Sequence, residues 1–91
     1  MSSKFAADPD GVTLYALSTC VWCRKTRRLL DSLGVTYTVH EVDLLSPQER
    51  EEVDEEVRRW NPSCNFPVLV INAERAILGF REAEIRSVLG G

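Results

Sequence analysis

With 91 residues, 44% of them hydrophobic and 27% charged, the chain has the size and composition of one globular domain that needs neither structural disulfides nor a metal to hold its core. A formal net charge of −3 at pH 7 argues against general nucleic-acid binding. No apolar run approaches the roughly 18 residues of a membrane span, and Met1 to Pro9 carry no apolar signal-peptide core, so the expected setting is cytoplasmic and away from membranes.

Three cysteines are too few and of the wrong parity for a stapled secreted domain, and in a reducing compartment they point to catalysis or metal binding instead. In chain order, residues 1–10 hold Ser, Ala, Asp and Pro with one aromatic, Phe5, and are expected to form a flexible lead to a domain spanning 11–91. Val12 to Leu17 is β-branched and aromatic, with Gly11 before it and Ser18-Thr19 after it, and reads as a mostly buried central strand.

Cys20-Val21-Trp22-Cys23 follows, and then a basic helical pattern from Arg24 to Leu33. In it Thr26, Leu29, Leu30 and Leu33 share a face and Gly34 stands at the C-terminal cap position. Cys20 thus falls where a strand ends and a helix begins. Unpaired N–H groups and the partial positive charge of a helix start favour thiolate, and lower a cysteine pKa from about 8.5 into the ~3.5–7.5 range. Two intervening residues bring the second sulfur within reach of the first, so a disulfide can open and close locally. A C-x-x-C pair after a strand in an intracellular chain reads as a redox motif. Trp22, between the sulfurs, is read as a substrate contact, because an inward ring there would block the sulfur that must be reached.

Tyr37, Val39 and Val42 alternate through Val35–Asp43 and give a second strand, completing a βαβ unit whose strands are expected to be parallel. Ser46-Pro47-Gln48-Glu49 has the form of a capping box with proline at the first helical position. The helix it opens places Val53, Val57 and Trp60 on one face, with Arg50–Asp54, Asp54–Arg58 and Glu55–Arg59 as solvent-side pairs. Asn61-Pro62 ends it. Its acidic run reads as a solvated face, with docking of a basic partner as the sharper alternative. Val68–Ile71, a turn at Asn72–Arg75 and Ala76–Leu78 form a hairpin, and Glu82–Leu89, with Ile85, Val88 and Leu89 apolar, closes the chain as a helix.

The order β-α-β-α-β-β-α, with C-x-x-C at the first strand-to-helix junction and Pro67 heading an apolar strand, is similar to the glutaredoxins and to the wider thioredoxin superfamily. The resemblance covers about Val12 to Leu89. It implies an α/β thioredoxin-like fold, a four-stranded mixed sheet flanked by three helices, with a cis peptide at Phe66–Pro67. Phe66 stands where glutaredoxins usually carry Val, which implies a bulkier rim near the sulfurs. Leu17 replaces the Lys that glutathione-using members place three residues before the first cysteine, and Gly79-Phe80-Arg81-Glu82 replaces their acidic cap. Gly79-Phe80-Arg81, Glu84-Ile85-Arg86-Ser87 and Cys20-Val21-x-Cys23 resemble instead the glutaredoxin-like hydrogen donors of ribonucleotide reductase.

The resemblance implies a dithiol–disulfide oxidoreductase, serving electron transport and cell redox homeostasis, with Cys20 and Cys23 catalytic and Thr19, Val21, Trp22, Phe66, Pro67, Gly79 and Phe80 facing the substrate. Thr19 is expected to orient the thiolate. The substrate is a disulfide-bearing protein or a glutathione mixed disulfide, the electron donor glutathione or thioredoxin reductase, and the protein a monomer with no bound cofactor and no metal. The rival reading is a zinc or iron–sulfur thiol protein on the same fold, although no second C-x-x-C completes such a site and the Cys-Gly-Phe-Ser of the iron–sulfur branch is absent. Cys64, three residues before Pro67, reads as a small loop residue, with a regulatory disulfide or metal ligand as the alternative. His40 reads as an ordinary strand residue.

Overall fold

The apolar run after Gly11 forms β1 (Val12–Ala16), and the chain continues through α1 (Val21–Ser32), β2 (Tyr37–Glu41), a 3-10 turn (Val42–Leu44), α2 (Pro47–Trp60), β3 (Val68–Ile71), β4 (Arg75–Leu78) and α3 (Glu82–Leu89). The computed structural model describes residues 4–63 and 65–90, so Cys64 lies outside the described residues. The sheet runs β2-β1-β3-β4. β1 and β2 are parallel, while β3 pairs antiparallel with β1 and with β4, so β1 is a central strand and the sheet is mixed as the resemblance implied.

Both faces of the sheet are covered, and strand alternation decides which residue goes where. Val12, Leu14 and Ala16 of β1 join Leu69 and Ile71 of β3 on the side that receives Leu29 and Leu30 of α1 and Ile85 of α3. Tyr15, Val68 and Val70 point the other way, onto Val42 and onto Val53 and Val57 of α2. Full burial of side chains of this kind stabilises the fold by roughly 1.5–3 kcal/mol each as an upper bound.

Helix ends follow the sequence signals. Gly34 has φ 71°, the Gly34 N–H donates to the Asp31 carbonyl and the Val35 N–H to that of Leu30, a Schellman arrangement that ends α1. At α2 the Ser46 hydroxyl accepts from the Glu49 N–H and the Glu49 carboxylate accepts from the Ser46 N–H, with Pro47 at the first helical position. Asn72 and Ala73 both have positive φ in the turn that joins β3 to β4, the geometry of the tight turns that match strand twist.

α1 begins at Val21 with Cys20 as its N-cap, so Cys20 stands at the helix start where the sequence put it, and the basic pattern from Arg24 continues that helix. One expected element needs correction. β2 is shorter than Val35–Asp43, since Val42 turns into the 3-10 segment and is fully buried there. Within the lead Phe5 and Ala7 are buried, while Asp8, Pro9 and Asp10 are exposed. Phe5 is 3% exposed and Ala7 9%, the Phe5 ring meets His40 edge-on at 5.3 Å, and the Tyr15 hydroxyl donates to the Phe5 carbonyl at 2.6 Å. Of the expected solvent pairs, Arg50–Asp54 forms at 3.2 Å, whereas Arg59 turns to Glu56.

Candidate active site

β1 ends at Ala16, and three residues, Leu17 to Thr19, carry the chain to Cys20, which is the N-cap of α1. Its backbone is extended there, with φ −80° and ψ 123°, and its carbonyl accepts the first helical hydrogen bond, from the Arg24 N–H. The N–H groups of the first turn are therefore free to meet the Cys20 sulfur. Burial opposes ionisation of that thiol. The Cys23 and Trp22 N–H groups, the Cys23 thiol and the charge of Arg24 outweigh it and hold the pKa below its ordinary value.

One turn on, Cys23 faces inward and is 1% exposed. Burial pushes its thiol up to about 12, with the Cys20 sulfur and the Asp43 carboxylate adding to the effect, against a hydrogen bond from the Leu17 N–H at 3.4 Å. Two thiols on one helical turn are thus driven in opposite directions by which side of the turn each occupies.

The first turn of α1 is braced from within and from across the sheet. The Thr26 hydroxyl donates to the Trp22 carbonyl at 2.9 Å. The Ser18 N–H donates to Asp43 Oδ1 at 2.8 Å and the Ser18 hydroxyl donates to Oδ2, tying the loop before Cys20 to the turn after β2. The Asp43 carboxyl is held below its usual range by these bonds. Sequence reasoning did not single out Ser18, Asp43 or the Leu17 N–H. Asp43 lies 25 positions from Ser18, and only the parallel pairing of β1 with β2 places the two ends side by side.

The cis peptide Phe66–Pro67 precedes β3, and the Pro67 carbonyl accepts from the Gly79 N–H at 2.9 Å, which fixes the turn after β4 against the proline. Trp22, Phe66, Pro67, Gly79 and Phe80 line a shallow apolar pocket of about 230 Å³. Trp22 stacks on Phe80 with ring centroids 6.1 Å apart, and the Lys25 ammonium lies over the other ring system, 4.8 Å from the Trp22 centroid. Five of the seven residues expected to face a substrate are therefore brought together. Val21 is exposed on the same turn. Thr19 is also exposed, and among the described residues its hydroxyl makes no hydrogen bond; the contacts that bear on the Cys20 thiol come from Trp22 and Cys23.

His40 does not join the thiols. Its ring stacks on Tyr15 at 5.6 Å and meets Phe5 edge-on, and burial holds its pKa below the usual value. Among the described residues there is no group of three or more His, Cys, Asp or Glu placed to hold a metal, and no helix long and apolar enough to cross a membrane. The arrangement of one activated thiol, one buried thiol and an apolar shelf suits disulfide exchange with a ligand laid across Trp22 and Phe66.

The family model described as Glutaredoxin matches residues 12–76. The chain is similar to a protein of Clostridium pasteurianum described as an uncharacterized glutaredoxin-like 8.6 kDa protein in the rubredoxin operon, with 31% identity over 78 residues, 86% of this chain and 96% of that one. Among solved structures it is similar to the glutaredoxin from Methanosarcina mazei Go1, with 53% identity, a TM-score of 0.83, and 94% of this chain and 84% of that chain covered. Methanosarcina acetivorans methanoredoxin is similar at 45% identity, with a TM-score of 0.86 over 94% of this chain and 90% of that chain.

Proposed function

The chain belongs to the glutaredoxin family, which makes it a thiol–disulfide oxidoreductase, and from that premise we propose that Cys20 and Cys23 are the exchanging pair. The observation that carries this reading is the placement of the two thiols, Cys20 at the N-cap of α1 and Cys23 one turn on and 1% exposed, which lowers the pKa of the first and raises that of the second.

The Cys20 thiolate attacks one sulfur of a protein disulfide or a glutathione mixed disulfide. The substrate disulfide breaks, its other sulfur leaves as thiolate, and a mixed disulfide joins Cys20 to the substrate. Loss of the negative charge on Cys20 removes one of the influences that kept Cys23 protonated. Cys23 then gives up its proton and attacks the Cys20 sulfur, expelling the second substrate thiolate and leaving a Cys20–Cys23 disulfide. Two electrons have passed to the substrate. Glutathione or thioredoxin reductase restores the dithiol, and a reducing compartment such as the cytoplasm suits the cycle.

Thr19, Val21, Trp22, Phe66, Pro67, Gly79 and Phe80 form the substrate side of the site, with the stacked Trp22 and Phe80 rings as its wall. Turnover of a protein disulfide and of a glutathione mixed disulfide, each driven in turn by glutathione with glutathione reductase and by thioredoxin reductase, tests the assignment. Cys20→Ser is expected to abolish turnover with every donor, and Cys23→Ser to keep activity only on the glutathione mixed disulfide. Full reductase activity in Cys20→Ser would refute it.

A further inference from the structure

The charges of the molecule are segregated in a way its net charge conceals. Lys4, Arg27, Arg50, Arg59, Arg75 and Arg86 are each in an ion pair. Among the described residues Arg24, Lys25, Arg28, Arg58 and Arg81 have none. Three of these stand on α1, where Arg24 acts on the Cys20 thiol and Lys25 lies over Trp22. Arg81, the N-cap of α3, follows Phe80 directly. α2, by contrast, carries Glu49, Glu51, Glu52, Asp54, Glu55 and Glu56. At physiological ionic strength a charge is felt over about 8 Å, so a segment lying at the sulfurs experiences the local cations and not the acidic helix behind the sheet.

The apolar pocket beside Trp22 shares Phe80 with a second groove, of about 440 Å³, which runs on between α1 and α3 past Lys25, Arg28, Leu29, Glu82 and Arg86. Glu82 is already held by Arg86 at 2.9 Å, leaving Lys25 and Arg28 as the unmatched charges along it. The two depressions therefore form one track that is apolar beside Trp22, the residue between the two cysteines, and cationic beyond Phe80.

We propose that this track receives an extended acidic segment of the client protein, with an apolar side chain next to the client cysteine in the Trp22–Phe66–Phe80 pocket and carboxylates on Lys25 and Arg28. The proposal rests on the disulfide-exchange reading, which requires an occupant that brings a disulfide to Cys20. That requirement and the charge complementarity select a polypeptide with carboxylates over a nucleic acid, whose phosphates would suit the cations but which has no sulfur to exchange.

Three synthetic disulfide peptides, identical around the cysteines and an adjacent Leu but flanked by Glu, Gln or Lys residues, test it with the full chain. At about 0.15 M salt, where the acidic α2 is screened from the site, kcat/KM is expected to rank Glu above Gln above Lys, with the Glu peptide favoured by about 5-fold over Gln, the scale of two exposed ion pairs. Raising salt to about 1 M, where the Debye length falls from roughly 8 to 3 Å, is expected to collapse the ranking. Arg28→Glu should shrink the Glu-to-Gln ratio within the same variant, a comparison that any general loss of activity leaves intact. Equal reduction of the three peptides, or a ratio indifferent to Arg28→Glu, would overturn the proposal while leaving disulfide exchange standing. No reduction of any peptide would sink both. Salt-sensitive self-association of the chain, abolished by Arg28→Glu, would assign the track to the acidic α2 of a second copy and would overturn the client assignment.

Discussion

Cys20 and Cys23 share one turn of helix, yet one meets backbone N–H groups at the helix start and the other is sealed against Leu14, Ala16 and the rest of the β1 face. The consequence is a pH-dependent selectivity. The Cys20 thiolate is lost only as pH falls through a pKa lying below that of an ordinary thiol, whereas the Cys23 thiolate appears only as pH rises toward about 12. Alkylation of the reduced protein with iodoacetamide near neutral pH, followed by peptide mapping, is therefore expected to modify Cys20 and spare Cys23. Comparable labelling of both would show that the inner sulfur is not held as described. The pair was legible in the sequence because its chemistry is local: spacing, strand before, helix after. The Ser18–Asp43 brace was not, since its two halves meet only through the sheet. Lys25 over Trp22 went unread because nothing in the sequence says which way an exposed lysine folds.

The three helices differ in how far their sequence announces them. α2 carries its start in four residues, Ser46 to Glu49, and the reciprocal hydrogen bonds of the capping box are present. Ser46→Ala is expected to cost about 1 kcal/mol, which for a domain of this size lowers Tm by roughly 4–8 °C, with disulfide reductase activity per folded molecule unchanged. Thermal unfolding followed by circular dichroism measures it, and an unaltered Tm would mean the cap is idle. α1 announces its start through the place of Cys20 between strand and helix, while its apolar pattern shows only from Thr26, because Val21 and Trp22 belong to the exposed face. That exposed first turn is the one whose Trp22 stacks on Phe80. β2 ends sooner than its alternation suggests, as Val42 is apolar and buried but its backbone has already left the sheet.

At the scale of the whole molecule, β1 and β3 alternate side chains between two covered faces; the βαβ unit and the β3–β4 hairpin were legible in the residues, while their joining into one mixed sheet was what the family resemblance implied. Phe5 was not recoverable. A lone aromatic has no period, and its place over His40 and Tyr15 exists only once the sheet does. Likewise a net charge of −3 averages an acidic α2 with a cationic site face. The fold turns these features into one device, with β1 delivering Cys20 to a helix start and the β3–β4 hairpin bringing Phe66, Pro67 and Phe80 to its side. The most direct measurement is the intact mass of Cys23→Ser after mixing with an equimolar disulfide peptide. A covalent peptide adduct mapping to Cys20 should accumulate, while the unsubstituted protein releases its peptide and retains a Cys20–Cys23 disulfide. An adduct on another residue, or release by Cys23→Ser at the unsubstituted protein's rate, would contradict the two-thiol exchange.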